Sequence, residues 1–286
     1  MRGGVGRSVA TRILVVGLGE VGSAVYRLAS NAPGVETYGY DIDASRSVHR
    51  LEEVPSPIDF LHVAIPFKGY QPFLDAVRAY VERFEPRHVI VHSTVAPGTT
   101  RMLREKLGVP VSYSPVRGKH PCIERHLRFW PKWVATLPRE RLGEASEHLR
   151  LLGMPVKPCN CEPETLELAK LWETVYRAAM IAAWQELHRM ALRFGADIEK
   201  ITEFVAEVHE VLRDRPVYYP SVIGGHCLIP NTRILRSVYQ SKLLDFILES
   251  NELRQEEIND PKVREGVEKV KQVAERLINK DYYRCE

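Results

Sequence analysis

Apolar residues fall in two regimes along this chain. Up to about residue 113 they come in short runs closed by glycine, proline or an acid; beyond residue 163 they recur at helical spacing. Residues 12–16 read RILVV, a β-branched run with apolar positions on both sides of an extended chain. Such a run predicts a strand buried on both faces. The segments 35–40, 58–65, 89–91 and 110–113 have the same character. Between them, 24–29, 72–84 and 99–107 carry helical patterns. Strands alternating with helices of this length predict a parallel α/β sheet with right-handed crossovers.

After Pro163 neither proline nor glycine occurs until Gly195. One helix is expected over 163–194, roughly 45 Å long, and helices of that length span two domains or two subunits. A second helix is expected over 198–213, followed by a loop rich in Pro, Tyr and Gly, the segment GGHC at 224–227, and a charged helical tail over 232–280 that turns near Asp260.

Composition narrows the class without naming it. The 286 residues are 44% hydrophobic and 27% charged, with a net charge of +3. This is enough for a sizeable core, and it excludes disorder, collagen-like repeats and small disulfide scaffolds. No apolar run approaches the ~20 residues a membrane span needs. Basic residues sit among acidic ones, so neither nucleic acid nor membrane is an expected partner. The five cysteines show no zinc spacing, and Cys159 and Cys161 stand too close in sequence for an ordinary disulfide. The expectation is a cytoplasmic chain with reduced thiols and no metal.

The first strand ends in GLGEVG, residues 17–22, and a helix follows directly. A lone GxGxxG means little, but this context is the one that gives it a mechanism. Gly17 makes the turn, Gly19 lets amides approach a pyrophosphate, and Gly22 lets the helix pack close. The head of that helix, at Glu20 and Val21, offers amide donors and a positive dipole end. Asp41 closes the second strand, near the offset expected for an acid on the ribose hydroxyls. Its charge repels a 2′-phosphate and favours NAD over NADP, although Arg46 lies nearby. Pro66, Ser93 and Thr94, at the ends of the third and fourth strands, complete the expected cofactor contacts. The expected fold is therefore a Rossmann-type doubly wound parallel sheet, then a long central helix and a smaller all-helical domain. The expected boundaries are 1–10 for a flexible tail, 11–158 for the NAD-binding domain and 159–286 for a helical dimerisation or substrate domain.

Five segments in register carry a resemblance. STVAPGTT at 93–100 resembles the STVPPGTT segment of the UDP-glucose/GDP-mannose dehydrogenase family. SPVR at 114–117 resembles its SPER segment, and ELAKL at 167–171 the start of its central helix. Gln185-Glu186 stands where that helix reads Asn-Glu, and GGHC is similar to the motif of the UDP-N-acetylmannosamine dehydrogenase branch. The resemblance runs from about residue 12 to residue 255. It implies an enzyme that oxidises a primary alcohol twice with two NAD molecules, through a thiohemiacetal and a thioester. It assigns Cys227 as the thiol nucleophile, Lys170 as the group that stabilises the alkoxide or takes its proton, and Thr94 as the residue that positions water. Arg117, Thr174, His226 and Asn231 become candidate substrate contacts, with His226 equally readable as a loop residue. A homodimer built across the long helix is also implied.

Three positions depart from the family. Val116 stands at its Glu, Thr174 at its Asn and Asn231 at its Asp. Valine neither accepts nor donates, and asparagine is a far weaker base than aspartate, so thioester hydrolysis loses its water-activating groups. A single oxidation keeps what it needs. Only 59 residues follow Cys227, with no further GxGxxG, so the expectation is a chain lacking the C-terminal nucleotide-sugar domain. Two alternatives remain open at this stage: a hydroxyacid dehydrogenase of the broader superfamily, which would need no thiol, and a non-catalytic NAD-binding regulatory protein.

Overall fold

The computed structural model describes residues 10–119 and 121–277. The expected tail, save Ala10, lies outside the described residues, as do Cys285 and the last residues of the expected helical tail.

Five strands arise where apolar runs predicted them: β1 (Thr11–Val16), β2 (Val35–Tyr40), β3 (Phe60–Val63), β4 (His88–Val91) and β5 (Val111–Tyr113). Two more follow, β6 (Lys132–Leu137) and β7 (Val156–Pro158). The seven lie in one sheet in the order β2-β1-β3-β4-β5-β6-β7. All neighbours pair in parallel except β5 and β6, which pair antiparallel. The five predicted strands run parallel to one another, as expected, and the antiparallel pairing comes with β6, which the sequence reading did not include. The 114–131 connection begins and ends at the same edge of the sheet, so no crossover is required.

Side-chain alternation divides the sheet into two apolar layers. Leu14, Val16, Leu61, Val63, Val89 and Val91 pack into one layer. Helices α2 (Tyr70–Phe84) and α3 (Thr99–Leu107) cover it through Phe73, Val77 and Leu103. Ile13, Val15, Phe60, Ile90 and Val134 belong to the other. That layer is covered by α1 (Glu20–Ser30), α4 (Ile123–Phe129) and α5 (Leu142–Leu151), through Val25, Leu127 and Leu149. The sheet is thus wound on both faces, and the strand order reverses between β1 and β3.

Helix α6 spans Pro163–Phe194, the range the sequence predicts. The chain divides into two compact units at Lys170/Leu171, inside this helix. In the second unit, α6 packs with α8 (Leu228–Val238) and α9 (Lys242–Glu257) through Leu171, Val175, Ile229, Leu235 and Ile247. Trp184 and Ala191 pack with α7 (Ile198–Leu212) and α10 (Pro261–Leu277) through Ala206, Val270 and Val273. Arg254 is fully buried here and donates to His188 Nδ1 (3.0 Å) and the Gln185 carbonyl (3.0 Å). No helix among the described residues is long and apolar enough to cross a membrane.

Candidate active site

The glycine turn sits at the reversal in strand order, where open α/β sheets take their ligands. Gly17 adopts φ +83°, and a Cβ on it would stand 2.6 Å from the Ala64 carbonyl oxygen. A Cβ on Gly22 would stand 1.7 Å from the Gly17 oxygen. Both positions exclude any side chain because backbone fills the space. Gly19 differs: nothing lies within 4 Å of where its Cβ would be. It is the N-cap of α1 and offers no side-chain cap, so the head of the helix stays open to an outside acceptor. Glu20 and Val21 form the first turn of this helix. Asp41 ties the turn to β2: its Oδ2 accepts from Leu18 N at 2.6 Å and its Oδ1 from Asp43 N at 2.8 Å. Arg46 pairs with Asp43 at 3.3 Å.

The next two strand ends are stitched together. Ser93 Oγ donates to the Ile65 carbonyl at 2.7 Å, directly before Pro66, so this hydroxyl holds the β3 and β4 loops at one level. Pro66 is exposed and Thr94 half-buried. Beyond them, Glu167 of α6 reaches the head of α3. Its carboxylate accepts from Gly98 N (2.6 Å), Thr100 N (2.8 Å) and Thr100 Oγ1 (2.6 Å), although the residue is fully buried. Burial raises its pKa, and the Thr100 hydroxyl and the Thr100 and Gly98 amides pull it back. A charge at a helix N-terminus complements the dipole, so one residue both caps α3 and fixes the 93–100 loop. The sequence shows Glu167 only as part of a motif, without this role.

Lys170 lies three residues further on, half-buried. Near it stands Lys132, the first residue of β6 and only 3% exposed. Lys132 Nζ donates to the carbonyls of Ser114 (2.6 Å) and Pro115 (2.9 Å). Burial pushes its pKa well down, and the charges of Lys170 and Arg117 push the same way. Arg117 donates to the Pro131 carbonyl at 2.6 Å and lies over the Trp130 ring at 4.8 Å. Lys170 and Arg117 are the charges that act on Lys132, whose own ammonium burial disfavours. Val116 is 5% exposed, in the same apolar layer as Ile123 and Leu127. No carboxylate occupies that position.

The second unit carries the remaining candidates. Asn231 Nδ2 donates to Thr174 Oγ1 at 3.0 Å, and Thr174 Oγ1 donates to the Leu171 carbonyl at 2.8 Å. Both residues are buried. The two departures from the family pattern are thus partners: a hydroxyl on α6 accepts from an amide on α8. Cys227 is the N-cap residue of α8; it and His226 are exposed. Gly225 before them adopts φ +81°, a conformation that favours glycine.

The cysteines require a correction. Cys159 and Cys161 form a disulfide, with Cα atoms 5.1 Å apart. A bend at Cys161 draws residues i and i+2 inside the Cα window a disulfide accepts, so closeness in sequence did not forbid it. Cys122 is disulfide-bonded as well. The expected set of reduced thiols does not hold. Among the described residues no cluster of His, Cys, Asp or Glu could hold a metal ion.

Comparison with known proteins agrees with the arrangement. Residues 164–255 match the model of the UDP-glucose/GDP-mannose dehydrogenase family, central domain. A curated relative, the UDP-N-acetyl-D-mannosamine dehydrogenase of Methanocaldococcus jannaschii, is 25% identical over 214 residues. That match covers 72% of this chain but 46% of the relative, so the chain spans about half the relative's length. Among solved structures, the UDP-D-ManNAc dehydrogenase of Pyrococcus horikoshii aligns with a TM-score of 0.70 at 20% identity, over 85% of this chain and 68% of that one. The 3-hydroxyisobutyrate dehydrogenase of Mycobacterium tuberculosis aligns at 0.63 and 14% identity, over 88% and 94%. These likenesses confirm the dehydrogenase-type fold. Residues 164–255 are thus similar to the central domain of the UDP-glucose/GDP-mannose dehydrogenase family.

Proposed function

We propose that the chain is an NAD-dependent dehydrogenase that oxidises an alcohol of a sugar-like substrate, by chemistry related to that of the nucleotide-sugar dehydrogenases. The observation that carries this is the contrast among the three glycines. Gly17 and Gly22 are filled in by backbone, while Gly19 faces open space at the head of α1. A dinucleotide pyrophosphate fits that gap and those amides. Asp41 at the end of β2 suits a ribose hydroxyl and disfavours a 2′-phosphate. NAD, when bound, accepts a hydride from the alcohol carbon. As the hydride leaves, the alcohol's hydroxyl proton would pass to Lys170, whose ammonium would then hold the developing alkoxide oxygen, with Arg117 adding positive potential beside the 114–117 loop. Thr94 holds water near the nicotinamide. Cys227 stands where the family places the thiol of its second oxidation, a step the reaction assigned here does not reach, and Arg117, Thr174, His226 and Asn231 are the substrate contacts we assign.

The reaction we assign stops at the carbonyl. With Val116 in the apolar layer and Asn231 bonded to Thr174, these positions supply no carboxylate to activate water for thioester hydrolysis. The relative's substrate suggests a UDP-N-acetylhexosamine, gripped by elements beyond those matched here. Leu168, Trp172 and Tyr176, each about half exposed at four-residue spacing on α6, support a homodimer across that helix. A cytoplasmic location requires the Cys159–Cys161 disulfide to persist against a reducing thiol pool.

The hydroxyacid dehydrogenase reading keeps one specific support: the 3-hydroxyisobutyrate dehydrogenase fold is covered almost end to end. NADH formation from UDP-sugars, GDP-sugars, free sugars and hydroxyacids separates the two.

A further inference from the structure

The layer of the sheet beneath α5 is not wholly apolar. His62 on β3, His92 directly after β4 and His148 on α5 lie inside it, at most 5% exposed. His62 Nδ1 meets His92 Nε2 at 2.9 Å, and His62 Nε2 meets His148 Nε2 at 2.8 Å. His92 Nδ1 meets the Ser114 carbonyl at 3.0 Å. A carbonyl can only accept, so His92 carries its proton on Nδ1 and accepts at Nε2. His62 must then donate from Nδ1 and accept at Nε2, and His148 must donate from Nε2. One acceptor at the end of the string sets the tautomer of all three rings.

The Ser114 carbonyl favours an added proton on His92, but burial and the neighbouring charges outweigh it. Lys132 of β6 faces it from one side, and His88 of β4 and Arg87 from another. The nearby acid, Glu144 of α5, is engaged by Arg87 at 2.9 Å and Arg141 at 2.5 Å and faces His88. Phe60 stacks on His148 with ring centroids 3.5 Å apart. Buried polar groups on strands are costly unless paired, and here pairing is achieved only through the Ser114 carbonyl. That carbonyl also receives Lys132, so both its lone pairs are used. His92 immediately precedes Ser93 and Thr94, and Ser114 opens the 114–117 loop.

We propose that His148, His62 and His92 form a positioning string, whose single set of neutral tautomers fixes the Ser114 carbonyl and so sets the backbone of the 93–94 and 115–117 loops. The use of those loops rests on the dehydrogenase reading; the string itself does not. His92 is the positioning residue, acting through Ser114 rather than by touching substrate.

Nitrogen NMR of histidine-labelled full-length protein tests the tautomers. His62 and His92 should be neutral with Nδ1–H, and His148 neutral with Nε2–H, unchanged from pH 8 to pH 5. A cationic ring, or His92 protonated on Nε2, overturns the string. Amide exchange tests the positioning. In His92→Leu, exchange at 93–94 and 116–117 should accelerate at least ~10-fold relative to the β1 amides. His92→Asn, whose amide can still donate to Ser114, should restore it to within ~3-fold. Equal effects of both variants, or acceleration spread over the whole sheet, contradict positioning. Should exchange behave as expected while NAD fails to bind the wild type, the string stands and the dehydrogenase reading falls.

Discussion

The Glu167 carboxylate, fully buried on α6, takes the Thr100 amide and hydroxyl at 2.8 and 2.6 Å and so fastens the long helix to the head of α3. It also takes the Gly98 amide. Glu167→Ala leaves these donors buried without an acceptor and should lower stability by about 2–4 kcal/mol in urea unfolding. Glu167→Gln keeps one accepting oxygen and should cost about half as much. A loss below about 0.5 kcal/mol for the alanine variant would show that solvent replaces the carboxylate.

Acid should destabilise the protein through its buried histidines. Burial, aided by the charges of Lys132 and His88, pushes His62 down to about 3, and burial holds His92 and His148 well below the usual range. These rings stay neutral when folded, whereas the unfolded chain protonates near pH 6.5. Stability is therefore fully present above ~pH 6.5 and falls as pH drops toward the folded values. Each ring contributes about 1.4 kcal/mol per pH unit, so the string alone gives a slope of about 4 kcal/mol per unit below pH 6. His88, pushed down to about 4, acts in the same direction. Urea midpoints that stay flat between pH 7 and pH 5 would contradict this.

The glycines separate fold from ligand. Gly22→Ala should abolish folding of the first unit, because its Cβ would overlap the Gly17 carbonyl at 1.7 Å. Gly19→Val meets nothing within 4 Å at its Cβ and should leave the melting temperature nearly unchanged. It should nonetheless reduce NAD affinity at least ~10-fold in calorimetric titration, since it fills the space assigned to the pyrophosphate. Unchanged affinity in Gly19→Val would move the cofactor elsewhere.

Thr174 and Asn231 should behave as a coupled pair. Asn231→Asp removes the amide that Thr174 Oγ1 accepts and buries a charge, at a cost of about 1–3 kcal/mol. Thr174→Asn with Asn231→Asp restores a donor on α6 facing an acceptor on α8, so the double variant should recover ~1 kcal/mol or more of that loss. Additive costs in the double-mutant cycle would mean the two positions are independent.

Much of this was legible in the sequence, for physical reasons. Strands buried on both faces announce themselves as β-branched runs, and α6 as an uninterrupted stretch between Pro163 and Gly195. The glycine turn could be read because Gly17 and Gly22 admit no side chain. Strand β6 was missed because Lys132, Ser112 and Thr136 give that part of the sheet a polar inner face; Ser112 Oγ and Thr136 Oγ1 pair at 2.7 Å. The histidine string had a signal: His62, His88 and His92 each replace an inward apolar residue in or beside a buried strand. Their partners, His148 and Ser114, are distant in sequence, so only the fold reveals the pairing. Glu167 was hidden for the same reason.

The most direct measurement follows absorbance at 340 nm with the wild-type chain, NAD and a UDP-N-acetylhexosamine, beside a Lys170→Ala variant of equal melting temperature. We expect NADH to accumulate with the wild type, at about one equivalent per substrate oxidised, and at least ~100-fold more slowly with the variant. NAD binding without NADH formation from any sugar, UDP-sugar or hydroxyacid, or identical rates for the two proteins, would contradict a dehydrogenase built around Lys170.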